Sequence, residues 1–124
     1  MGRDNKSYPE QVPIDEYGEQ GFRFADMSHS GSILCLPSGI IAWDIGSASE
    51  LSIEMLKPIF DEADNIELLY IGMGRDIAPL KAELREALAK ENIYVEPLST
   101  GAAISTYNIL LDEKRLLAAA LIAV

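Results

Sequence analysis

The sequence is poor in the residue types from which most catalytic and metal sites are built. Its 124 residues include one cysteine, Cys35, and one histidine, His29. A single cysteine forms no intrachain disulfide, and this one stands in an apolar run between Leu34 and Leu36, the setting of a buried structural thiol in a reducing compartment. No Cys/His cluster with the spacing of a zinc site can be drawn, so neither metal nor cofactor is expected. His29 has Asp26, Ser28 and Ser30 close by in sequence, but such neighbours rarely point at one another, and no Gly-x-Ser-x-Gly elbow occurs. It reads as a solvated turn histidine, and no residue is assigned a catalytic role.

Cations are scarce as well. Ten Lys and Arg stand against twenty Asp and Glu, a net charge of -10 that repels a phosphodiester backbone and sets nucleic acid aside. The same charge favours a basic protein or a cation, or serves only solubility. Long hydrophobic runs are missing too. The longest, residues 116–124, falls well short of the roughly 20 residues that span a bilayer, so the chain is not expected to be integral to a membrane. Residues 1–11 are polar and lack the apolar segment of a secretory signal, and no arginine-rich organelle leader is evident; a cytoplasmic, bacterial protein is expected.

What is present is a foldable chain. Hydrophobic residues make up 48% and charged residues 24%, a globular balance rather than a disordered one. This length suits one domain that buries roughly two-thirds of its unfolded surface. Residues 1–13, polar and carrying Pro9 and Pro13, read as a flexible N-terminal arm, with a single domain over 14–124. Residues 17–21 are turn chemistry, and Phe22-Arg23-Phe24 alternates at the period of a half-buried strand. His29-Ser30-Gly31 marks the next break. Two short apolar runs, 33–36 and 40–43, flank Pro37-Ser38-Gly39 and form a predicted hairpin. Ser52 can cap a helix from Ile53 with Leu56 and Phe60 inward, kept short or bent by Pro58.

The organising stretch is 66–75. An apolar strand over 67–71, buried on both faces, ends in Gly72-Met73-Gly74-Arg75-Asp76 and leads to a helix with Pro79 in its first turn and Leu80, Leu84 and Leu88 on one face. A second strand over 93–98 leads through Ser99-Thr100-Gly101 into a helix carrying Ala103, Tyr107, Leu110 and Leu111. The repeat predicts a βαβ core with a right-handed crossover. Residues 116–124 have helical propensity but no polar face, and their pattern favours a strand.

Gly72-x-Gly74 resembles the start of a dinucleotide fingerprint, but Ile77 stands where its third glycine belongs. If the two strands are adjacent and parallel, their exit loops gather at one rim, where helix N-termini and Arg75 can hold an anion. The ligand-binding candidates are Gly72, Gly74, Arg75, Thr100, Gly101 and Asn108. The alternative is that the glycines only let the backbone bend, that Arg75 pairs with Asp76 or solvent, and that Asn108 caps a neighbouring loop. Trp43 is the candidate partner contact if exposed, or a core edge if not.

Gly21-Phe22-Arg23-Phe24, His29 through Leu34, Leu36-Pro37-Ser38-Gly39, Trp43, residues 68–74, Thr100-Gly101-Ala102-Ala103, Thr106-Tyr107-Asn108 and residues 118–122 together resemble the Mth938-like domain family, also called DUF498. The likeness covers residues 14–124. It implies a three-layer α/β fold with a central mixed sheet and a β-rich N-terminal part, and it makes the final segment a strand. The family includes a mitochondrial assembly factor for respiratory complex I and has no established catalytic residues. The implied role is a non-enzymatic protein-binding or assembly module with an unidentified protein partner, linked to membrane or respiratory complex assembly. The alternative is a small-anion-binding protein or enzyme using the two rim loops.

Overall fold

A computed structural model describes residues 7–124. Within these residues nine strands and three α-helices follow one another: β1 (Ser7–Tyr8), β2 (Glu16–Gly18), β3 (Gly21–Phe24), β4 (Met27–Ser30), β5 (Ile33–Leu36), β6 (Gly39–Ala42), α1 (Lys57–Asp61), β7 (Leu68–Gly72), α2 (Ala82–Lys90), β8 (Tyr94–Leu98), α3 (Thr100–Asp112) and β9 (Leu117–Leu121). Six strands make one mixed sheet in the order β1-β6-β5-β9-β7-β8, and β2-β3-β4 make a separate antiparallel sheet. β7 is parallel to β8 on one side and to β9 on the other, pairing Tyr70 with Glu96 and Ala119. β5, β6 and β1 continue antiparallel from β9.

The alternation of side chains along each central strand builds two cores. Leu34, Leu69, Ile71, Ala118 and Ala120 face one way, against Ile59 of α1 and Leu84 and Leu88 of α2. Ile33, Cys35, Tyr70, Leu117 and Ala119 face the other, against Ala103, Ile104 and Tyr107 of α3 and Phe22 and Phe24 of the small sheet. The result is three layers, and the expectation that β7 is buried on both faces holds. The last segment is strand β9, as its apolar pattern favoured: once it is buried on both faces, no polar face is needed. Among the described residues, no helix is long and apolar enough to cross a membrane.

Several local expectations change. Residues 7–13, expected within a loose arm, are tied to the fold. Tyr8 pairs with Ile40 and packs edge-on against Phe24 at 6.1 Å; Gln11 Nε2 donates to the Leu117 carbonyl and the Tyr107 hydroxyl to that of Val12, both at 2.7 Å. The rest of that arm, residues 1–6, lies outside the described residues. His29 is part of strand β4 rather than a turn. The hairpin turns on either side of β3 are Glu19-Gln20 and Ala25-Asp26, all four with φ between 49 and 64°. Tight hairpins favour this backbone but usually announce it with Asn-Gly.

Helix α2 starts at Ala82, not at Pro79. Lys81 is its N-cap, with extended backbone (φ -60, ψ 139), so Leu80 reaches the core from the loop. The segment after Ser52 is short, as Pro58 requires. Ser52 Oγ accepts from Met55 N–H at 3.2 Å, a tight turn runs through 54–56, and Pro58 opens α1; Leu56 is buried while Ile53 faces outward.

Cys35 is a free, fully buried thiol. Burial pushes it from its ordinary 9.0 up to about 12, with the hydrogen bond to Tyr107 acting the other way. Burial likewise raises the Tyr107 phenol above its ordinary 10.0. Both groups stay neutral in the folded chain at pH values where the unfolded chain ionises them. Their contribution is therefore complete below the unfolded pKa and is lost as pH climbs through and beyond 9.0 toward about 12. Urea unfolding followed across this range is expected to show stability falling by up to about 1.4 kcal/mol per pH unit for each group. Cys35→Ala is expected to delay the onset of that fall, and an unchanged profile contradicts the assignment.

Candidate functional site

Parallel pairing on both sides of β7 brings the exits of β7, β8 and β9 to one rim. Backbone bonds lace them together: Met73 N–H to the Leu98 carbonyl at 2.8 Å, and Ile122 N–H to the Gly72 carbonyl at 3.0 Å. The loops at 72–76 and 99–101, expected side by side, are joined by Thr100. Its N–H donates to the Gly74 carbonyl at 2.8 Å. Its Oγ1 accepts from Gly74 N–H at 3.1 Å and donates to the Ile122 carbonyl at 2.7 Å. Thr100 is fully buried, which is affordable because every polar atom of its side chain is used.

Gly72 is where α3 meets the sheet. A Cβ there would stand 2.8 Å from Thr100 Cα and 3.2 Å from Leu121 Cδ2, so only glycine fits. Gly74, at φ +115, needs its freedom for a different reason, the turn itself. Gly72 and Thr100, candidates for facing a ligand, form the seam between strand and helix. A glycine turn and a capping hydroxyl look alike in sequence whether they admit a ligand or a neighbouring helix.

In front of the seam lies an open depression of about 590 Å³, lined by Gly74 and Arg75, by Ser99, Gly101 and Ser105, and by Tyr17 and Glu19 of the small sheet. Gly74, Arg75 and Gly101 thus do share one surface. The N-terminus of α3 has little left to offer an anion, because Ser99 Oγ accepts from Ala102 N–H at 3.3 Å and the amides of Thr100 and Ala103 are bonded within the protein. Glu19 places a carboxylate in the same surface as Arg75. Tyr17 was not anticipated: its hydroxyl lies against Gly101, where a Cβ would strike it, and it carried no signal beyond its place in a turn-rich stretch.

Asn108 is elsewhere. Its Oδ1 accepts from Ile14 N–H and its Nδ2 donates to the Ile14 carbonyl, each at 2.9 Å, so the amide holds an extended backbone as a strand would. Trp43 is 6% exposed, and its Nε1 donates to the Met55 carbonyl at 2.7 Å. It is a core edge and offers no surface to a partner. Among the described residues no group of three or more His, Cys, Asp or Glu is placed to hold a metal ion.

A mixed sheet between a two-helix layer and a layer made of one helix and a small sheet defines an α/β protein of the Mth938-like fold. A Bordetella pertussis protein described as a Mth938-like domain superposes with TM-score 0.78 at 22% identity, over 98% of this chain and 92% of its own. The chain belongs to the family described as protein of unknown function DUF498/DUF598, whose model matches residues 14–122. Among solved structures, one described as an outer membrane protein from Bartonella henselae has TM-score 0.90 and 46% identity, over 94% of this chain and 98% of that one. NADH dehydrogenase (ubiquinone) 1 alpha subcomplex assembly factor 3 of Danio rerio is 39% identical over 109 residues, which are 88% of this chain and 63% of the relative. The chain therefore spans under two-thirds of that relative's length.

The seam can be tested without reference to function. Thr100→Val keeps the shape but strands Gly74 N–H and the Ile122 carbonyl, and is expected to cost about 1–3 kcal/mol. Thr100→Ser keeps the hydroxyl and should cost clearly less in the same denaturant titration. Equal losses would show that the methyl group, not the hydrogen bonds, holds the seam.

Proposed function

We infer that this chain is a non-enzymatic protein-binding module, one domain that includes residues 7–13 as well as 14–124, and that it serves the assembly of a respiratory membrane complex. The observation that carries this is the 39% identity to an assembly factor across 109 residues, nearly the whole of this chain. The structure is compatible in a particular way: at Thr100, Asn108 and Trp43 the polar groups are spent on internal bonds, so these residues maintain a scaffold. The cytoplasm is the compartment that suits a free buried thiol, and the acidic surface favours a basic protein over nucleic acid.

A second reading keeps one specific observation in its favour. Arg75 lines the same depression as Gly74 and Gly101, and its guanidinium suits a small anion. The two readings separate experimentally. Affinity capture of the tagged chain from its own cells, analysed by mass spectrometry, is expected to enrich NADH dehydrogenase subunits over a tag-only control. Recovery of nothing above control, together with a phosphate-induced rise in melting temperature that Arg75→Ala abolishes, would overturn the assembly role in favour of the anion.

A further inference from the structure

The open strand edges differ sharply in what they offer a partner. At β8, the bonds from Tyr94 N–H to Glu67 and from Met73 N–H to Leu98 turn Tyr94, Glu96 and Leu98 toward β7, leaving Val95 and Pro97 outward. Pro97 has no N–H, and the Val95 carbonyl is taken by Arg85 Nη1 at 3.3 Å, so this edge is blunted. β1 is two residues long and runs into Pro9. β4 is unlike either. The two-residue turn makes Met27 and His29 the residues that bond to β3, and the bond from Gly31 N–H to the Gln20 carbonyl continues the alternation. The main-chain groups of Ser28 and Ser30 therefore point away from the sheet, and both residues are exposed.

Beside that edge is an apolar groove of about 420 Å³, lined by Tyr8, Phe24, Met27, His29, Ile40 and Ile41. Met27 lies opposite Phe24 on the inward face, yet it remains 39% exposed, a large apolar side chain reaching past the core. Among the described residues, no lysine or arginine lines the groove. Both walls come from residues 7–56, a stretch with eight carboxylates and a single cation, Arg23. Arg23 sits on the other face of β3 from Phe22 and Phe24, paired in register with Glu16.

We propose that this groove is a strand-docking site: an extended segment of a partner protein, apolar at alternate positions and basic between them, adds to β4. Its backbone bonds to Ser28 and Ser30, its apolar side chains enter the groove, and its basic side chains face the outer surface of the small sheet, where Glu16 and Glu19 line one depression with Ser28, Ser30 and, as the one cation among the described lining residues, Arg23. The site rests on the protein-binding function above and specifies where the partner docks and what chemistry it carries.

The probe is a short synthetic peptide alternating valine and lysine, titrated into the isotope-labelled full chain and followed by amide NMR, with a valine–glutamate peptide as control. Expected are shift changes at residues 27–30 and 40–41, slowed exchange of the Ser28 and Ser30 amides, and binding weakened roughly tenfold or more for the control. Ser28→Pro removes an outward N–H that β3 does not use, and Met27→Asp puts a charge in the groove. Each should weaken binding by a similar factor while the rest of the spectrum stays that of the folded chain. Equal binding of the two peptides, no binding, or shifts centred on Gly74, Arg75 and Gly101 would overturn the site. So would Ser28 and Ser30 amides already protected in the free chain, since the edge would then be covered by the chain itself or by a second copy. Capture from cells separates the two claims: if Ser28→Pro and Met27→Asp still recover NADH dehydrogenase subunits as the wild type does, the assembly function stands and the groove falls.

Discussion

Strand β7 pairs in parallel on both sides and is covered on both faces, so its backbone groups and its side chains are committed at the same time. That double commitment decides where everything else goes. A parallel neighbour has to be reached by a crossover, and the chain makes two, through α2 to β8 and through α3 to β9, on opposite faces of the sheet. The two helices thereby supply one wall of each core. β9 then carries the antiparallel half of the sheet on its far side through β5.

The same arrangement explains what the rim became. Three strand ends converge there, and convergence leaves carbonyl and amide groups to be satisfied as well as space to be filled. Thr100 does both, with Gly72 yielding the room. A crevice at the strand ends is the usual ligand site of open α/β sheets, but here it is closed at its base, and what remains is a shallow surface shared by Arg75 and Glu19. A second, more apolar opening lies at the β-rich N-terminal half, where Met27 of β4 and Tyr8 of β1 line one groove.

Legibility in the sequence followed the strength of the physical signal. β7 and β9 could be read because burial on both faces leaves near-continuous apolar runs, β8, an edge strand, because Ile93-Tyr94-Val95 follows the helix stop at Asn92, and α2 because Leu84 and Leu88 recur among charged residues. The small sheet was only partly legible. Its turns place Glu19, Gln20, Ala25 and Asp26 in left-handed backbone without the glycine or asparagine that normally marks it. Residues 7–13 looked like a tail because their anchors are distant: Tyr107 and Leu117 lie far along the chain, and nothing local reveals them. For the site, the convergence of the loops could be inferred from strand order, whereas the direction of each polar group could not. Thr100, Asn108 and Trp43 each present a group suited to a ligand or partner, and each spends it on a main-chain atom that only the fold brings near.

The doubly paired strand makes a direct demand on dynamics. Amides bonded on a central strand with both faces covered open only when the whole domain unfolds, whereas edge strands open locally. Native-state hydrogen exchange across increasing denaturant measures this residue by residue. The bonded amides of Leu69, Tyr70 and Ile71 are expected to exchange at the free energy of global unfolding, with those of β3 and β4 exchanging at lower cost. Exchange of the β7 amides at or below the cost for β3 and β4 would contradict the account, because the strand could then open while the rest of the fold remained.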